Sequence, residues 1–371
     1  MLSTRTRIHA RLTAVTLVAL VAASCGGGDD TAAATTTQPV ATTTTAAPAA
    51  ETSTTTKPTA TTTSTAESTT TTIPADPVMP LTGLPITDQN LANRPALVVK
   101  IDNHPQARPQ FGLNSADIVY EENVEKLTRF AVVFQSQDAE RVGPIRSGRT
   151  QDVALLGSLN QPLFAWSGGN PNVTRAIRDS DLVELSPSST GGKGGFFRNK
   201  RKNEASEHTL YNATPALYGF TPIYAPAPQQ QFTYRTDGEA FNGEATKGVD
   251  LKMDGVKVNW TWDAGSASYL RFQDGKPHDD ATLGQVNAAN VVILETDYQP
   301  SPADARSPEA QTVGTGSAWV FTGGVMITGT WTRDDRLQSF QLKDTDGNVI
   351  ALTPGRTWVE LSRIFTMSPL T

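Results

Sequence analysis

The sequence predicts an α+β fold in which strands outnumber helices, divided into two consecutive domains. Three observations predict it: short runs rich in β-branched and aromatic residues, turn dipeptides between many of those runs, and a few helical patterns in the first half of the folded region. A proline- and glutamine-rich stretch at residues 221–231 separates the two halves. We therefore expect domains over residues 80–225 and 226–371.

Residues 1–24 have the pattern of an export signal, with a positively charged start, an apolar run over residues 12–23 and small residues at the end. The apolar run would make a helix of about 18 Å, which is too short to cross a hydrocarbon core of about 30 Å. We therefore expect this segment to be a cleaved signal peptide and not a permanent transmembrane helix.

Cys25 is the only cysteine of the chain, and it follows Val21-Ala22-Ala23-Ser24 at the expected cleavage point. This order resembles a bacterial lipobox, which implies that the sulfur of Cys25 receives a diacylglyceryl group and anchors the protein to the membrane outside the cytoplasm. Each buried methylene contributes about 0.8 kcal/mol, so two or three acyl chains would make a durable anchor. The alternative is a secreted protein in which the cysteine is incidental.

The stretch that follows, residues 25–79, is predicted to be the lipidated cysteine and a disordered tether. Between residues 31 and 73 it has 21 threonines in 43 residues, interleaved with Ala, Ser and Pro and without an aromatic residue. Such a segment cannot bury enough apolar surface to offset the entropy lost on ordering.

The first domain begins with short apolar runs bounded by turn residues, which predict strands at residues 96–101, 116–124 and 129–135. Helical patterning follows at residues 152–159. Asn170 and Pro171 have the order of an N-cap and a first helical position, so a second helix is predicted over residues 173–179. A further strand is expected between the two helices, at residues 162–166.

The second domain has almost only strand patterns, so we expect a twisted antiparallel sheet or a small sandwich. The predicted strands cover residues 256–262, 268–272, 290–295, 318–321 and 325–333. Hairpin turns are indicated by the dipeptides Asp254-Gly255, Asp274-Gly275, Gly323-Gly324 and Asp346-Gly347.

Charge and cysteine content exclude several classes of protein. The formal net charge is −6, which argues against a nucleic-acid binder that relies on a broad basic surface. A single cysteine excludes disulfide scaffolds and cysteine-based zinc clusters. The three histidines of the folded region have no metal-ligand spacing, so we expect neither a metal nor a cofactor.

One hypothesis is catalytic and depends on Asp102, His104 and Glu121. Asp102 and His104 are two residues apart at the end of a strand, so the carboxylate could orient a histidine base on the same side of the chain, with Glu121 as the acid. The alternative is that the Asp-Asn-His-Pro unit only stabilises a turn. Neither a nucleophile elbow nor a phosphate-binding loop is found in the sequence.

Arginines near the strand ends of the first domain favour a different hypothesis, because the guanidinium fork matches carboxylate and phosphate oxygens. The predicted anion-binding residues are Arg108, Arg146, Arg149 and Arg198, together with His208 and Tyr211. The alternative is structural: the arginines pair with acids such as Asp117, Glu121, Glu122 and Glu125 and lock the sheet.

Several stretches carry a family resemblance: KIDNHPQARPQ at 100–110, ADIVYE at 116–121, VGPIRSGR at 142–149, HTLY at 208–211 and PGRTW at 354–358. They resemble the YerB-type lipoproteins of bacteria, and the resemblance covers nearly all of residues 80–365. It implies an exported lipoprotein built from paired amino- and carboxy-terminal domains of unknown function, with an α+β layered sandwich. The family has no assigned activity that the resemblance could transfer to this chain.

These observations leave three hypotheses for function. The first is a membrane-anchored cell-envelope lipoprotein that binds an anionic wall polymer or an envelope protein without catalysis. The second is a hydrolase or transferase that acts on envelope polymers through Asp102, His104 and Glu121. The third is a scaffold whose second domain exposes an apolar patch around Trp331 or Trp358.

Overall fold

A computed structural model of the chain describes residues 77–371, apart from residues 202 and 237. The predicted signal peptide, Cys25 and almost all of the tether lie outside the described residues. The described residues belong to a single unit, residues 72–371. In this part of the chain no helix is long and apolar enough to cross a membrane.

Helices in the described residues are short. The α-helices are α1 (Gln89–Asn93), α2 (Gln151–Leu155), α3 (Pro171–Arg178) and α4 (Thr214–Tyr218). Single 3-10 turns cover Pro105–Ala107, Leu113–Ser115, Gly157–Leu159 and Ser206–His208.

Strands dominate both halves of the folded region. In the first half they are β1 (Leu97–Asp102), β2 (Ile118–Val124), β3 (Leu127–Phe134), β4 (Leu163–Ala165), β5 (Val183–Leu185), β6 (Phe197–Arg198) and β7 (Leu210–Tyr211). In the second half they are β8 (Glu244–Ala245), β9 (Gly248–Met253), β10 (Val256–Asp263), β11 (Ser268–Gln273), β12 (Lys276–Pro277), β13 (Asp279–Asp280), β14 (Gly284–Gln285), β15 (Asn287–Ala288), β16 (Asn290–Glu295), β17 (Tyr298–Ser301), β18 (Asp304–Ala310), β19 (Gly314–Thr322), β20 (Val325–Arg333), β21 (Gln341–Asp344), β22 (Thr357–Ser362) and β23 (Met367–Leu370).

Turn chemistry explains the β11–β12 and β19–β20 hairpins. Asp274 and Gly275 have φ angles of 52° and 77°, and Gly323 and Gly324 have 57° and 80°. Two consecutive left-handed residues give the type I′ turn that matches the twist of paired strands. The β2–β3 hairpin uses the same two-residue geometry at residues 125 and 126, although neither residue is a glycine.

The helix predicted over residues 152–159 is split in the structure. Regular α-helix ends at Leu155, and a 3-10 turn follows from Gly157. A Cβ atom at Gly157 would lie 2.6 Å from the carbonyl oxygen of Arg336, so the chain approaches a neighbouring backbone too closely for any other residue. The predicted N-cap is confirmed, since Asn170 accepts a hydrogen bond from the amide of Val173 at 2.9 Å.

The largest sheet contains strands from both halves of the chain. Its order is β21-β20-β19-β16-β22-β2-β3-β1-β4-β5, and β8 pairs with β20. The two halves meet where β22 runs parallel to β2, with Ile118 beside Thr357 and Glu121 beside Glu360. The domain boundary at residues 225 and 226 therefore stays a prediction, while the sheet itself continues across it.

Two hydrophobic cores lie on opposite faces of this sheet. On the front face, side chains such as Val119 and Trp358 pack against the second sheet, β12-β11-β10-β9-β23 with β15, through Val258 and Trp260. On the back face, side chains such as Val98 pack against residues of α2 and α3. The result is a layered arrangement, as the family resemblance implied.

Candidate functional site

A group of buried charges lies on the back face where β1, β2 and β3 run side by side. Side chains alternate along a strand, so Lys100 of β1 lies on the same face as Val98 and is fully buried. Its ammonium group contacts Glu122 and lies 2.6 Å from Asp152. Burial lowers the pKa of Lys100 to about 8, although Asp152 partly opposes the shift.

Arg129 lies beside Lys100, Glu122 and Asp152 but forms no ion pair with a described carboxylate. It is opposite Glu122 in β2 and Asp102 in β1, and only 8% of its surface is exposed. Its side chain donates one hydrogen bond, to the carbonyl of Ser147 at 2.8 Å, and no carboxylate of the described residues lies within 4.0 Å. Burial, and then repulsion by Arg149, lowers its pKa to about 9.

Two further arginines reach this end of the sheet from the segment after β3. Arg146 is held by its backbone, whose amide bonds to the carbonyl of Lys100 at 2.8 Å, and its Nε lies 3.4 Å from Asp102. Arg149 donates to Glu125 at 3.0 Å and to Ser307 at 3.0 Å. We call Arg129, Arg146 and Arg149 the arginine cluster.

The charges around the arginine cluster do not cancel in the buried zone. Lys100 and the three arginines give four positive charges, against the buried carboxylates of Asp102, Glu122 and Asp152. Arg149 is also paired with Glu125, but the side chain of Glu125 is 49% exposed, so solvent screens that pair. The balance leaves about one positive charge in a region of low dielectric.

A cavity of about 210 Å³ adjoins the arginine cluster. Arg149 and Ser147 form part of its wall, and Ser301 and Ser307 face it from the second half of the chain. Asp304 and Glu125 also line the cavity, where Arg306 pairs with Asp304 at 2.8 Å and Arg149 pairs with Glu125 at 3.0 Å. Hydroxyl and guanidinium donors therefore meet at a space large enough for a small anionic group.

The structure brings Asp102, His104 and His208 together. Asp102 accepts the backbone amide of His104 at 3.0 Å, and its other oxygen is 2.6 Å from Nδ1 of His208. The two imidazole rings stack with centroids 4.3 Å apart. His104 Nδ1 accepts from the amide of Gln106 at 3.2 Å, which is the capping role of a turn residue. Burial lowers the pKa of His104, and the neighbouring His208 lowers it further.

Glu121, the third residue of the catalytic hypothesis, lies on the opposite face. It neighbours Glu122 in β2 and therefore points to the front, where Arg271 donates to it at 2.6 Å and Thr128 at 2.6 Å. It is fully buried. The carboxylate that Asp102 and His104 would need as an acid is thus separated from them by the sheet.

Beside Glu121 lies a second buried acid, Glu360. Trp260 donates to its Oε1 at 2.8 Å, and the pKa of Glu360 is raised well above its usual range because it is buried and faces Glu121. Its Oε2 receives no hydrogen bond from the described residues. A protonated Glu360 that donates to Glu121 satisfies this atom.

His278 completes the front-face group. Its Nδ1 lies 2.5 Å from Nη1 of Arg271, and its Nε2 lies 2.8 Å from the side-chain oxygen of Gln110. Arginine can only donate, so Nδ1 accepts and Nε2 carries the hydrogen. Burial and the charge of Arg271 lower the pKa of His278 well below its usual value, which keeps the ring neutral.

The remaining predicted ligand residues are spread around the His104–His208 pair. Arg108 donates to Asn103 at 2.9 Å and to Asp274 at 3.3 Å. Arg198 is exposed and donates to Ser206 and Thr209. Tyr211 is buried, with its ring against those of Phe111 and Phe197.

Sequence reasoning placed Arg146 and Arg149 in the ligand set but not Arg129 or Lys100. Lys100 carried a signal, because a lone charge in the apolar run 96–101 must be paired if the strand is buried on both faces. No such signal exists in the sequence for Arg129, because only the structure shows that the carboxylates near it interact with other residues. Among the described residues no group of three or more His, Cys, Asp or Glu side chains has the geometry of a metal site.

Comparisons with known proteins agree with this architecture. Residues 81–223 match the family described as "Protein of unknown function (DUF3048) N-terminal domain", and residues 249–359 match "Protein of unknown function (DUF3048) C-terminal domain". Over 289 residues the chain is 28% identical to YerB of Bacillus subtilis (strain 168), a protein named as a candidate lipoprotein; the match covers 76% of this chain and 85% of that protein.

A crystal structure of the YerB protein from Bacillus subtilis is also similar, with a TM-score of 0.67 and 25% sequence identity. The likeness covers 79% of this chain and 99% of the solved chain. It confirms the predicted α+β fold, rich in β-strands.

Proposed function

This chain belongs to the YerB-like family of paired DUF3048 domains, and we propose that it is a cell-envelope lipoprotein, anchored through Cys25, whose folded unit binds an anionic envelope component without catalysis. The name of its Bacillus subtilis relative supports the anchored, extracytoplasmic part of this proposal. The arginine cluster supports the binding part.

The observation that carries the proposal is Arg129. A guanidinium group with 8% exposure, and with no carboxylate of residues 77–371 described in the structure within 4.0 Å, costs free energy in the unliganded protein. An anion that reached it would remove that cost and would gain charge-assisted hydrogen bonds from Arg146 and Arg149 as well. Carboxylate and phosphate are the groups whose oxygens match this arrangement of planar donors.

The geometry supports binding over catalysis. Asp102 is engaged by His208, by Arg146 and by the backbone of His104, and Glu121 lies on the other face of the sheet. Glu121, the acid of the catalytic hypothesis, therefore lies out of reach of a substrate held at His104.

The anion-binding proposal is tested by titrating the full chain with inorganic phosphate and with a purified anionic wall polymer, followed by calorimetry. We expect saturable binding that Arg129→Met and Arg149→Gln each weaken about tenfold or more, since one charge-assisted hydrogen bond is worth about 1.5–3 kcal/mol. The matched control is Arg178→Gln, which removes the same charge from a side chain that is 52% exposed. It should change the affinity less than about twofold.

Absence of saturable binding to either probe would contradict the proposal. An equal loss in Arg178→Gln would also contradict it, because the binding would then depend on net charge and not on the arginine cluster.

The lipid anchor is tested separately, by growing cells with a fatty-acid analogue. The native chain should incorporate the label and Cys25→Ser should not, with another lipoprotein of the same cells as the positive control. A native chain that remains unlabelled would refute the anchor and leave the binding proposal intact.

A second candidate is an envelope-polymer hydrolase or transferase, and the Asp102–His208 contact is the observation that favours it, since a carboxylate orients a histidine base in many active sites. Incubating the full chain with purified wall polymer distinguishes the candidates. New polymer ends that appear with the native chain and not with Asp102→Asn would establish catalysis, whereas retention of intact polymer supports binding alone.

A further inference from the structure

A second site is indicated by a cavity of about 500 Å³ whose wall includes no member of the arginine cluster. Both halves of the chain contribute to it. Its main lining residues are Phe111, Asp138, Glu140, Arg141, Asp280 and Leu283.

Arg141 is the cation of this cavity, and three aromatic rings hold it. Its guanidinium carbon lies 4.8 Å from the ring centre of Phe111, 5.7 Å from that of Phe197 and 6.0 Å from that of Tyr211. The rings also contact one another, since Tyr211 meets Phe111 edge to face and stacks on Phe197. Cation–π contacts fix the position of a guanidinium but leave its N–H donors unused.

Those donors have no partner within the described part of the chain. The side chain of Arg141 makes no hydrogen bond there, and no carboxylate lies within 4.0 Å of it, in contrast to Arg94 and its partner Asp138 at 2.9 Å. The guanidinium group of Arg141 is therefore held in place with free donors beside a cavity of about 500 Å³.

Acidic residues on the cavity wall define the charge of the ligand. Asp138 is neutralised by Arg94, and Asp280 accepts three backbone amides, from Asn114, Thr282 and Leu283. Glu140 is exposed and makes no hydrogen bond or ion pair with the described residues. The carboxylates of Glu140 and Asp280, which have no cationic partner among the described residues, repel a doubly charged phosphate. A single carboxylate on Arg141 with an ammonium group near Glu140 complements the charges of these two residues.

An apolar surface completes the cavity. Leu283 is 54% exposed, and Phe111 is half-buried. The loop that carries Leu283 is fixed to the first half, because the amide of Ala281 bonds to the carbonyl of Gln110 at 2.7 Å. This surface is available to an apolar side chain of a bound molecule.

We propose that this cavity binds a short zwitterionic peptide with an apolar side chain, whose terminal carboxylate pairs with Arg141 and whose amino group faces Glu140. The site is independent of the anion-binding function proposed above, because it shares no residue with the arginine cluster. Tyr211 acts in it as a positioning residue that holds Arg141.

The test is a calorimetric titration of the full chain with the tripeptide alanyl-alanyl-leucine, compared with its carboxy-amidated and its amino-acetylated forms. We expect saturable binding of the free tripeptide with a dissociation constant below about 1 mM, and about tenfold weaker binding of the amidated form. Acetylation should weaken binding less, because Glu140 is exposed to solvent.

Variants separate recognition from folding. Arg141→Gln should weaken binding of the free tripeptide about tenfold and should leave the amidated form unaffected. Arg141→Lys keeps the charge without the planar fork and should give an intermediate loss. Arg306→Gln, at a side chain that is 87% exposed and outside the cavity, is the matched control and should change nothing. The melting temperature of each variant shows whether it is folded.

Three outcomes would overturn the proposal. The first is that the free tripeptide shows no saturable binding at about 1 mM, and the second is that the free and amidated tripeptides bind equally well. The third is that Arg141→Gln or Arg141→Lys binds the free tripeptide as tightly as the native chain, with the same melting temperature.

Discussion

Glu121 and Glu122 are neighbours in one strand and are both fully buried, yet their surroundings differ in kind. On the back face, Glu122 shares Lys100 with Asp152, and the neighbouring Arg129 is left without a carboxylate. On the front face, Glu121 forms the ion pair with Arg271, and Glu360 forms none with the described residues. One face thus has an unpaired cation and the other an unpaired acid.

The two faces resolve this imbalance differently because they differ in access to solvent. Glu360 is sealed between two sheets, so it can become neutral only by keeping a proton, which its raised pKa indicates. Arg129 cannot lose its proton near neutral pH, since its pKa is lowered only to about 9. It belongs to a cluster whose other members, Arg146 and Arg149, are partly exposed, and Arg149 lines a cavity. A charge imbalance that solvent cannot reach is removed by binding a proton, whereas one that solvent can reach is suited to bind a charged ligand.

The sharpest test of this difference compares Glu121→Gln with Glu360→Gln. Glu121→Gln leaves Arg271 buried without its carboxylate, so we expect the free energy of unfolding to fall by about 3–5 kcal/mol. Glu360→Gln replaces a protonated acid by a neutral group of the same shape, so it should cost less than about 1 kcal/mol near pH 4.5. At pH 7 it should raise the free energy of unfolding, because folded Glu360 keeps a proton that the unfolded native chain releases. Urea unfolding measures both values, and equal losses would show that Glu360 is ionised in the native protein.

The pH dependence of stability tests the same proton on Glu360. Its pKa is raised on folding, so above pH 4.5 the folded chain binds a proton that the unfolded chain releases. The free energy of unfolding should therefore fall by about 1.4 kcal/mol per pH unit as the pH rises, until the folded pKa is reached. The difference between native and Glu360→Gln chains in urea unfolding should grow with pH, and a constant difference would contradict the protonated state.

His278 should give a slope of the opposite sign at lower pH. Its folded pKa is depressed, so its contribution is complete above pH 6.5 and is lost by about 1.4 kcal/mol per pH unit as the pH falls below that value. Replacing this residue in His278→Gln should flatten the plot of unfolding free energy against pH below pH 6.5, whatever stability the variant loses at pH 7. A curve with the same slope as the native one would show that the ring is protonated in the folded state.

On the back face, we expect the smallest change in the free energy of unfolding, and this change should be an increase. Arg129→Met removes an unpaired buried charge, so the free energy of unfolding at pH 7 should rise by about 1 kcal/mol, even though the bond to Ser147 is lost. Urea unfolding in phosphate-free buffer measures this effect. A loss of stability would mean that Arg129 has a structural partner and would remove the main support for the anion site.

The strands and the α3 cap were predictable because they depend on local signals. β1, β2, β3, β10, β11, β16 and β20 lie where alternating or continuous apolar runs indicated them. The split of the helix at Gly157 was not predictable, since it depends on the distant carbonyl of Arg336.

The sequence could predict that buried acids pair with arginines, but not which acid pairs with which arginine. Of the acids predicted to pair with arginines of the first domain, Glu125 pairs with Arg149, whereas the partner of Glu121 is Arg271 of the second half. The proximity of Glu121 and Glu360 was beyond sequence reasoning, because it depends on the register of β2 and β22. The same holds for the contact of Asp102 with His208, which are joined across two separate segments of the first half.

The parallel pairing of β2 with β22 also bears on the order in which the chain can assemble. Hydrogen bonds between residues 118–121 and 357–360 join strands that are far apart in sequence, so one side of β2 lacks its partner until the last part of the chain has been synthesised. During that interval β2 is an open edge, the kind of surface on which unfinished chains associate with one another. Truncation before residue 357 should therefore yield material that aggregates, even though the first family domain ends at residue 223.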